Sequence, residues 1–154
     1  MVPAGYNNNH RIVQTAESVV IFSEMMHDAR IIPLAARPHL PNMVRQWFGD
    51  SRGRWEGDTL VVETTNFTDK TNFRGAGENM RLIERFSRID PDTLLYQFTV
   101  DDSQSFQTPW SGEIPMKRAD GPIFEYACHE GNYSIVNSLS AVRAAEKAAE
   151  AVRK

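Results

Sequence analysis

The sequence predicts a mainly β fold, an antiparallel up-and-down meander followed by a C-terminal α-helix. Three observations carry this. Runs rich in β-branched and aromatic residues alternate apolar and polar positions over most of the chain. Turn-forming residues separate successive runs, so the strands follow one another as hairpins. Only after about residue 133 does the apolar spacing change to that of a helix.

Taken in order, Arg11–Thr15 reads as a first short strand. Val19-Val20-Ile21-Phe22 is a continuous apolar run, as in a strand covered on both faces. Arg30-Ile31-Ile32-Pro33-Leu34 follows, and Pro33, which has no N–H to give a ladder, marks an edge or a strand end. Arg52-Gly53-Arg54-Trp55 and the β-branched run Thr59–Phe67 flank Glu56-Gly57-Asp58 and form a hairpin. The clearest hairpin spans Arg81–Asp101. Leu82, Glu84 and Phe86 alternate with Ile83, Arg85 and Ser87 in its first arm, and Leu94, Tyr96, Phe98 and Val100 with Leu95, Gln97 and Thr99 in its second. Asp90-Pro91-Asp92-Thr93 joins the arms: proline presets φ for the second turn position, and the aspartate before it caps the turn. Two further strands are expected around Gly112–Lys117 and Ile123–Cys128. Ile135, Val136, Leu139 and Val142 then recur at helical spacing, with Asn132 or Ser134 as N-cap, over about 133–154. From Ala141 onward this helix has little to bury and reads as solvated.

Eight or nine antiparallel strands with one apolar face must stack as two sheets or close on themselves. Closure removes edges and, at eight strands, leaves room for one small ligand, so residues 1–154 are expected to form a single lipocalin-like β-barrel domain with its terminal helix. Two irregular stretches, Ala35–Asp50 and Asn66–Asn79, are long for a compact domain and read as binding loops or lids.

Composition excludes several classes. The 154 residues are about one domain's worth. Three Trp, four Tyr and eight Phe argue against disorder, and no apolar run reaches the ~18 residues of a membrane span. Cys128 is the only cysteine, so an intrachain disulfide is impossible. The net charge of −3 and the lack of a basic stripe argue against a nucleic-acid partner. Of 17 basic residues 13 are arginine, the side chain whose fork suits carboxylates and phosphates. The first residues have neither the basic nor the apolar region of a signal peptide.

Gly49-Asp50-Ser51-Arg52-Gly53 fits G-x-S-x-G, in which the glycines allow a sharp turn that lifts the serine toward a base. That motif requires a helix after the serine. Here a hairpin follows, so an α/β-hydrolase elbow is excluded. Ser51 as nucleophile would need a histidine: His39 in the long loop, or His129, next to Glu130. Glu130 or Asp58 would orient the imidazole, and Arg30 or Arg37 would hold an anionic group or the developing oxyanion. Trp47, Trp55 and Tyr126 are candidates to line a ligand mouth. Glu24 and His27 are candidate ligands for a divalent ion such as calcium, although no recognised metal spacing is present. The pairs Asp90/Asp92 and Asp101/Asp102 offer oxygen ligands but read first as turn and strand-end residues.

Asn7-Asn8-Asn9, Glu24–Leu34, Arg37-Pro38-His39, Gly49–Val62 with Thr65-Asn66-Phe67, and Tyr126–Tyr133 together resemble a large group of uncharacterised proteins from soil bacteria. The resemblance covers nearly the whole chain but implies no particular reaction. Its members look longer at the N-terminus, often with an export signal. This chain would then be the carboxy-terminal β-rich portion or a short form, periplasmic or secreted if it derives from an exported precursor and cytoplasmic otherwise.

Two functions follow from these residues. One is hydrolysis of a small ester or lactone in a barrel mouth, with Ser51 or a metal-bound water attacking. The other is non-catalytic binding of a small apolar or amphipathic ligand. In either case the partner is a small molecule, and a homo-oligomer is compatible with the sequence.

Overall fold

A computed structural model describes residues 9–25, 28–124 and 129–152. The chain divides into two compact units, 1–124 and 125–154. The first unit holds β1 (His10–Gln14), β2 (Ser18–Ser23), β3 (Asp28–Pro33), β4 (Asp50–Glu56), β5 (Thr59–Thr65), β6 (Arg81–Asp90), β7 (Thr93–Asp101) and β8 (Trp110–Lys117). The second holds α1 (Ser134–Val152). No described helix is long and apolar enough to cross a membrane.

Every ladder is antiparallel and joins sequence neighbours, as a meander requires. The strands nevertheless form two sheets, β1-β2-β3 and β4-β5-β6-β7-β8, and neither closes into a barrel. The break falls where β3 ends at Pro33 and the chain runs through residues 34–49 as turns before β4 begins. The ninth expected strand is not formed at Ile123 and Phe124, and the rest of it, through Cys128, lies outside the described residues. The Asp90 turn forms as expected: Asp90 pairs with Thr93, and its carboxylate accepts the N–H of Asp92 at 2.8 Å.

Alternation gives each strand of the larger sheet one inward face. Leu60, Val62, Leu82, Phe86, Tyr96, Phe98 and Val100 are buried there, together with Val19, Ile21 and Ile32 from the smaller sheet. Phe86, Tyr96 and Phe98 stack in series, with ring centroids 4.9 and 5.6 Å apart. The outward face takes up much of the arginine excess. Val61 lies there in register with Arg54 and Arg85, and both guanidiniums meet the Glu56 carboxylate at 2.7 and 2.9 Å. Their apolar stems leave Val61 fully buried on the solvent side of the sheet. In the second unit, the Asn132 side chain caps α1 by accepting the backbone N–H and hydroxyl of Ser134, and the described side chains of the helix are exposed.

Candidate functional site

Three places gather the chemistry-bearing side chains of residues 9–124. The first lies between the sheets, where β3 faces β4. Arg30, on the inward face of β3, donates from Nε to Ser51 Oγ at 2.9 Å, from Nη2 to Thr64 Oγ1 at 2.6 Å, and through both terminal nitrogens to the Glu84 carboxylate. Tyr96 donates to the same carboxylate at 3.0 Å, and the Ser51 and Thr64 hydroxyls are 3.0 Å apart. Burial pushes the Glu84 carboxyl up, but the Arg30 guanidinium outweighs it and holds the group below the usual carboxylate range. Burial, reinforced by Glu84, pushes the Tyr96 hydroxyl well above its ordinary value. Glu84 therefore stays ionised and Tyr96 protonated, so the cluster is a bidentate ion pair surrounded by its own donors.

This accounts for Ser51. Its hydroxyl is buried against Arg30 and Thr64, and neither described histidine of residues 9–124 bonds it. The flanking glycines also have local reasons to be there. Gly49 sits at φ 69°, and a Cβ on it would meet the Thr65 carbonyl at 2.5 Å. A Cβ on Gly53 would come within 2.8 Å of Ile32 and 3.0 Å of Leu34, so this glycine lets β4 approach β3 closely. Asp58 sits at the far end of the β4–β5 hairpin from Ser51. The five residue steps from Ser51 to Glu56 span roughly 17 Å, which removes Asp58 as a partner for a base at Ser51.

The second place is the outer end of β4. His39 Nδ1 lies 2.9 Å from Asp50 Oδ2, which also accepts the N–H of Leu40 at 3.0 Å, while Asp50 Oδ1 accepts from Arg52 Nη1 at 2.6 Å. Asp50 is buried, and the histidine side chain is about a quarter exposed. The orienting carboxylate for His39 is thus Asp50, not the predicted Glu130 or Asp58. Asp50 and Ser51, as neighbours on a strand, face opposite ways.

The third place is a cleft of about 580 Å³ between the free edges β1 and β8. Val19, Ile21, Leu60, Phe86, Leu94 and Met116 give it an apolar lining, and His10, Arg88, Lys117 and Arg118 bring cationic or titratable groups. Asp58, Asp92 and Trp55 also line it. Lys117 Nζ reaches Thr93 Oγ1 at 2.7 Å and Arg88 Nη1 reaches the Pro91 carbonyl at 3.0 Å, so both cations rest on neutral oxygens. Burial lowers the pKa of His10, whose Nδ1 meets Ser23 Oγ at 3.1 Å. A neighbouring recess of about 840 Å³ shares His10, Ile12, Met116, Lys117 and Arg118.

The remaining predicted residues are not brought into these clusters. Arg37 and Trp47 are exposed on the 34–49 loop. His129 and Glu130 belong to the second unit and are exposed. His27 and Tyr126 lie outside the described residues. Glu24 is buried with its carboxylate accepting the Phe124 N–H at 2.9 Å and the Asn9 amide at 2.6 Å, which hold it below the usual range. Asp102 accepts the N–H groups of Gly77 and Gln104 and the Ser105 hydroxyl. Among the described residues no group of three His, Cys, Asp or Glu is placed to hold a metal ion. Sequence reasoning missed Glu84, although a carboxylate at an inward position between Leu82 and Phe86 is itself the signal of a buried charge with a partner. No family model, curated protein or solved structure matches the chain.

Proposed function

We propose that the protein is a binding module that holds a small amphipathic molecule in the cleft between β1 and β8. The observation carrying this reading is the pairing, in one cleft, of an apolar lining with Arg88, Lys117 and Arg118. The volume is that of an ordinary small-molecule site, ~300–1,000 Å³. An alkyl or aromatic body would lie against Leu60, Phe86, Leu94 and Met116, and an anionic group would face Arg88 and Lys117, with Arg118 beside them 3.8 Å from the Asp92 carboxylate. The seam takes the role that the mouth of a lipocalin-like barrel would take, without the strands being joined across it.

Titration with 1-anilinonaphthalene-8-sulfonate tests this. Saturable fluorescence enhancement is expected, displaced by dodecanoate more strongly than by dodecanol. Met116→Trp, which fills the cleft, should abolish it, and Lys117→Glu/Arg118→Glu should erase the preference for the carboxylate. Non-saturable enhancement, or binding unchanged by Met116→Trp, would overturn the reading.

A separate observation supports hydrolysis as a second reading. Asp50 fixes the His39 ring through Nδ1, leaving Nε2 as the nitrogen able to take a proton from water. On this reading His39, not Ser51, is the group to test. Turnover of aryl esters or lactones should be lost in His39→Gln and retained in Ser51→Ala. Activity that survives His39→Gln would end it.

A further inference from the structure

The chain that leaves β8 is held at two points and unbonded between them. The Arg118 N–H donates to the Asp92 carbonyl at 2.8 Å, and the Phe124 N–H donates to the Glu24 carboxylate at 2.9 Å. Between these anchors, residues 119–123 form no hydrogen bond or ion pair with any described residue. Asp120 and Gly121 are exposed, at a bend that no turn hydrogen bond closes. Gly121 holds φ at 110°, with open space where a Cβ would project. Both residues line the recess of about 840 Å³ beside the cleft.

An aspartate carboxyl carbon can be attacked by the backbone nitrogen of the next residue, because closing a five-membered ring holds the two groups together. Glycine in second place helps most, having no Cβ to shield the nitrogen or to restrict the rotation that the ring requires. Asp120-Gly121 is the one such pair in the sequence, and no asparagine precedes a glycine. The other aspartates are placed against this chemistry. Asp28 and Asp101 lie in strand ladders. Asp90 precedes Pro91, whose nitrogen carries no proton. Asp58 and Asp92 precede threonine, whose branched Cβ crowds the nitrogen, and Asp69 precedes a lysine. Asp50 and Asp102 precede serine, but both are buried with their carboxylates taken, Asp50 by His39, Leu40 and Arg52 and Asp102 by Gly77, Gln104 and Ser105.

We propose that Asp120-Gly121 is a site of spontaneous covalent modification, converting to isoaspartate through a succinimide. The Gly121 nitrogen bonds to Asp120 Cγ, the Cγ–O bond breaks, and the carboxyl hydroxyl leaves with the amide proton as water. Water then adds at the backbone carbonyl carbon of Asp120 and breaks its bond to the Gly121 nitrogen. The main chain now runs through Cγ, one methylene longer, and the α-carboxylate stands free. Nothing is oxidised or reduced, and the mass is unchanged. With only its ends fixed, the 118–124 segment can close the ring and lengthen without giving up a hydrogen bond.

The test is incubation of the full chain at pH 7.4 and 37 °C in water enriched in oxygen-18. Digestion in ordinary water and labelling of the peptides with a protein isoaspartate O-methyltransferase follow. The peptide carrying residue 120 is expected to gain isoaspartate at least tenfold faster than any other aspartate peptide, with one oxygen-18 atom per isomerised residue. Gly121→Ala and Asp120→Glu should each slow this at least tenfold while the thermal melt stays that of the parent. Unfolding in guanidinium chloride should raise the rates at Asp50 and Asp102 but leave that at Asp120 within threefold. A rate at Asp120 that rises tenfold on unfolding would show that the fold protects the site and would overturn the proposal. So would equal accumulation at other aspartates, isoaspartate without oxygen-18, or accumulation unchanged by Gly121→Ala.

Discussion

Replacing Glu84 by glutamine keeps the shape of the side chain and removes the charge facing Arg30. The guanidinium is then left between the sheets with only neutral acceptors, Ser51, Thr64 and the new amide oxygen, and uncompensated buried charge of this kind costs about 3–5 kcal/mol. Chemical denaturation at neutral pH should show a loss of that order for Glu84→Gln. The pH dependence has a definite sign. Because the folded carboxyl titrates below its unfolded value, the pair contributes fully at any pH above the unfolded value of ~4.3 and is lost as pH falls below it. The stability gap between parent and Glu84→Gln should therefore stay constant from pH 7 down to about 4.5 and narrow below that. A gap that closed near neutrality would mean the carboxyl is not held ionised by Arg30. The inward position of Glu84 can be read from the alternation around it. Its partnership with Arg30, 54 positions earlier, cannot, because it depends on which way the smaller sheet folds over the larger.

At the scale of elements, one asparagine organises two loops that are separate in sequence. Asn66 holds φ at 59°, a region in which asparagine is among the few tolerated side chains, and its amide binds the carbonyls of the 34–49 loop. Asn66→Ala should cost about 1–3 kcal/mol through unmatched backbone carbonyls and speed proteolysis within residues 40–49. Asn66→Gly, which relieves the backbone but leaves the bonds unmade, should be cut as fast as Asn66→Ala. Slow cleavage in both would show that other contacts hold the loop. Strand positions were legible from alternation and turn chemistry, and Pro33 did mark a strand end. The length of both loops was legible too. Their mutual attachment was not, since it rests on hydrogen bonds between residues more than twenty positions apart.

For the molecule as a whole, the division into two sheets predicts where it opens first. β1 is an outer strand with most of its residues exposed, whereas β6 and β7 are paired on both sides. Hydrogen exchange should be fastest along His10–Gln14 and slowest along β6 and β7, and equal protection in the two places would contradict this picture. The count of strands pointed to a closed barrel. What periodicity could not supply was that β3 and β4 meet without a ladder, because alternation says which face a residue takes and nothing about which edges pair. The seam there is made of side chains: Arg30 on Ser51, and Ile32 and Leu34 over Gly53. A closed barrel has its radius set by strand number and stagger. A seam without a ladder imposes no such number, so the angle between the sheets answers to the side chains that meet there, through their size and the Arg30 bonds. Substitutions at Gly53, Ile32 or Leu34 would alter the aperture on the opposite side. On the proposed binding function, the range of guests taken between β1 and β8 would then drift through changes made far from any residue lining that cleft.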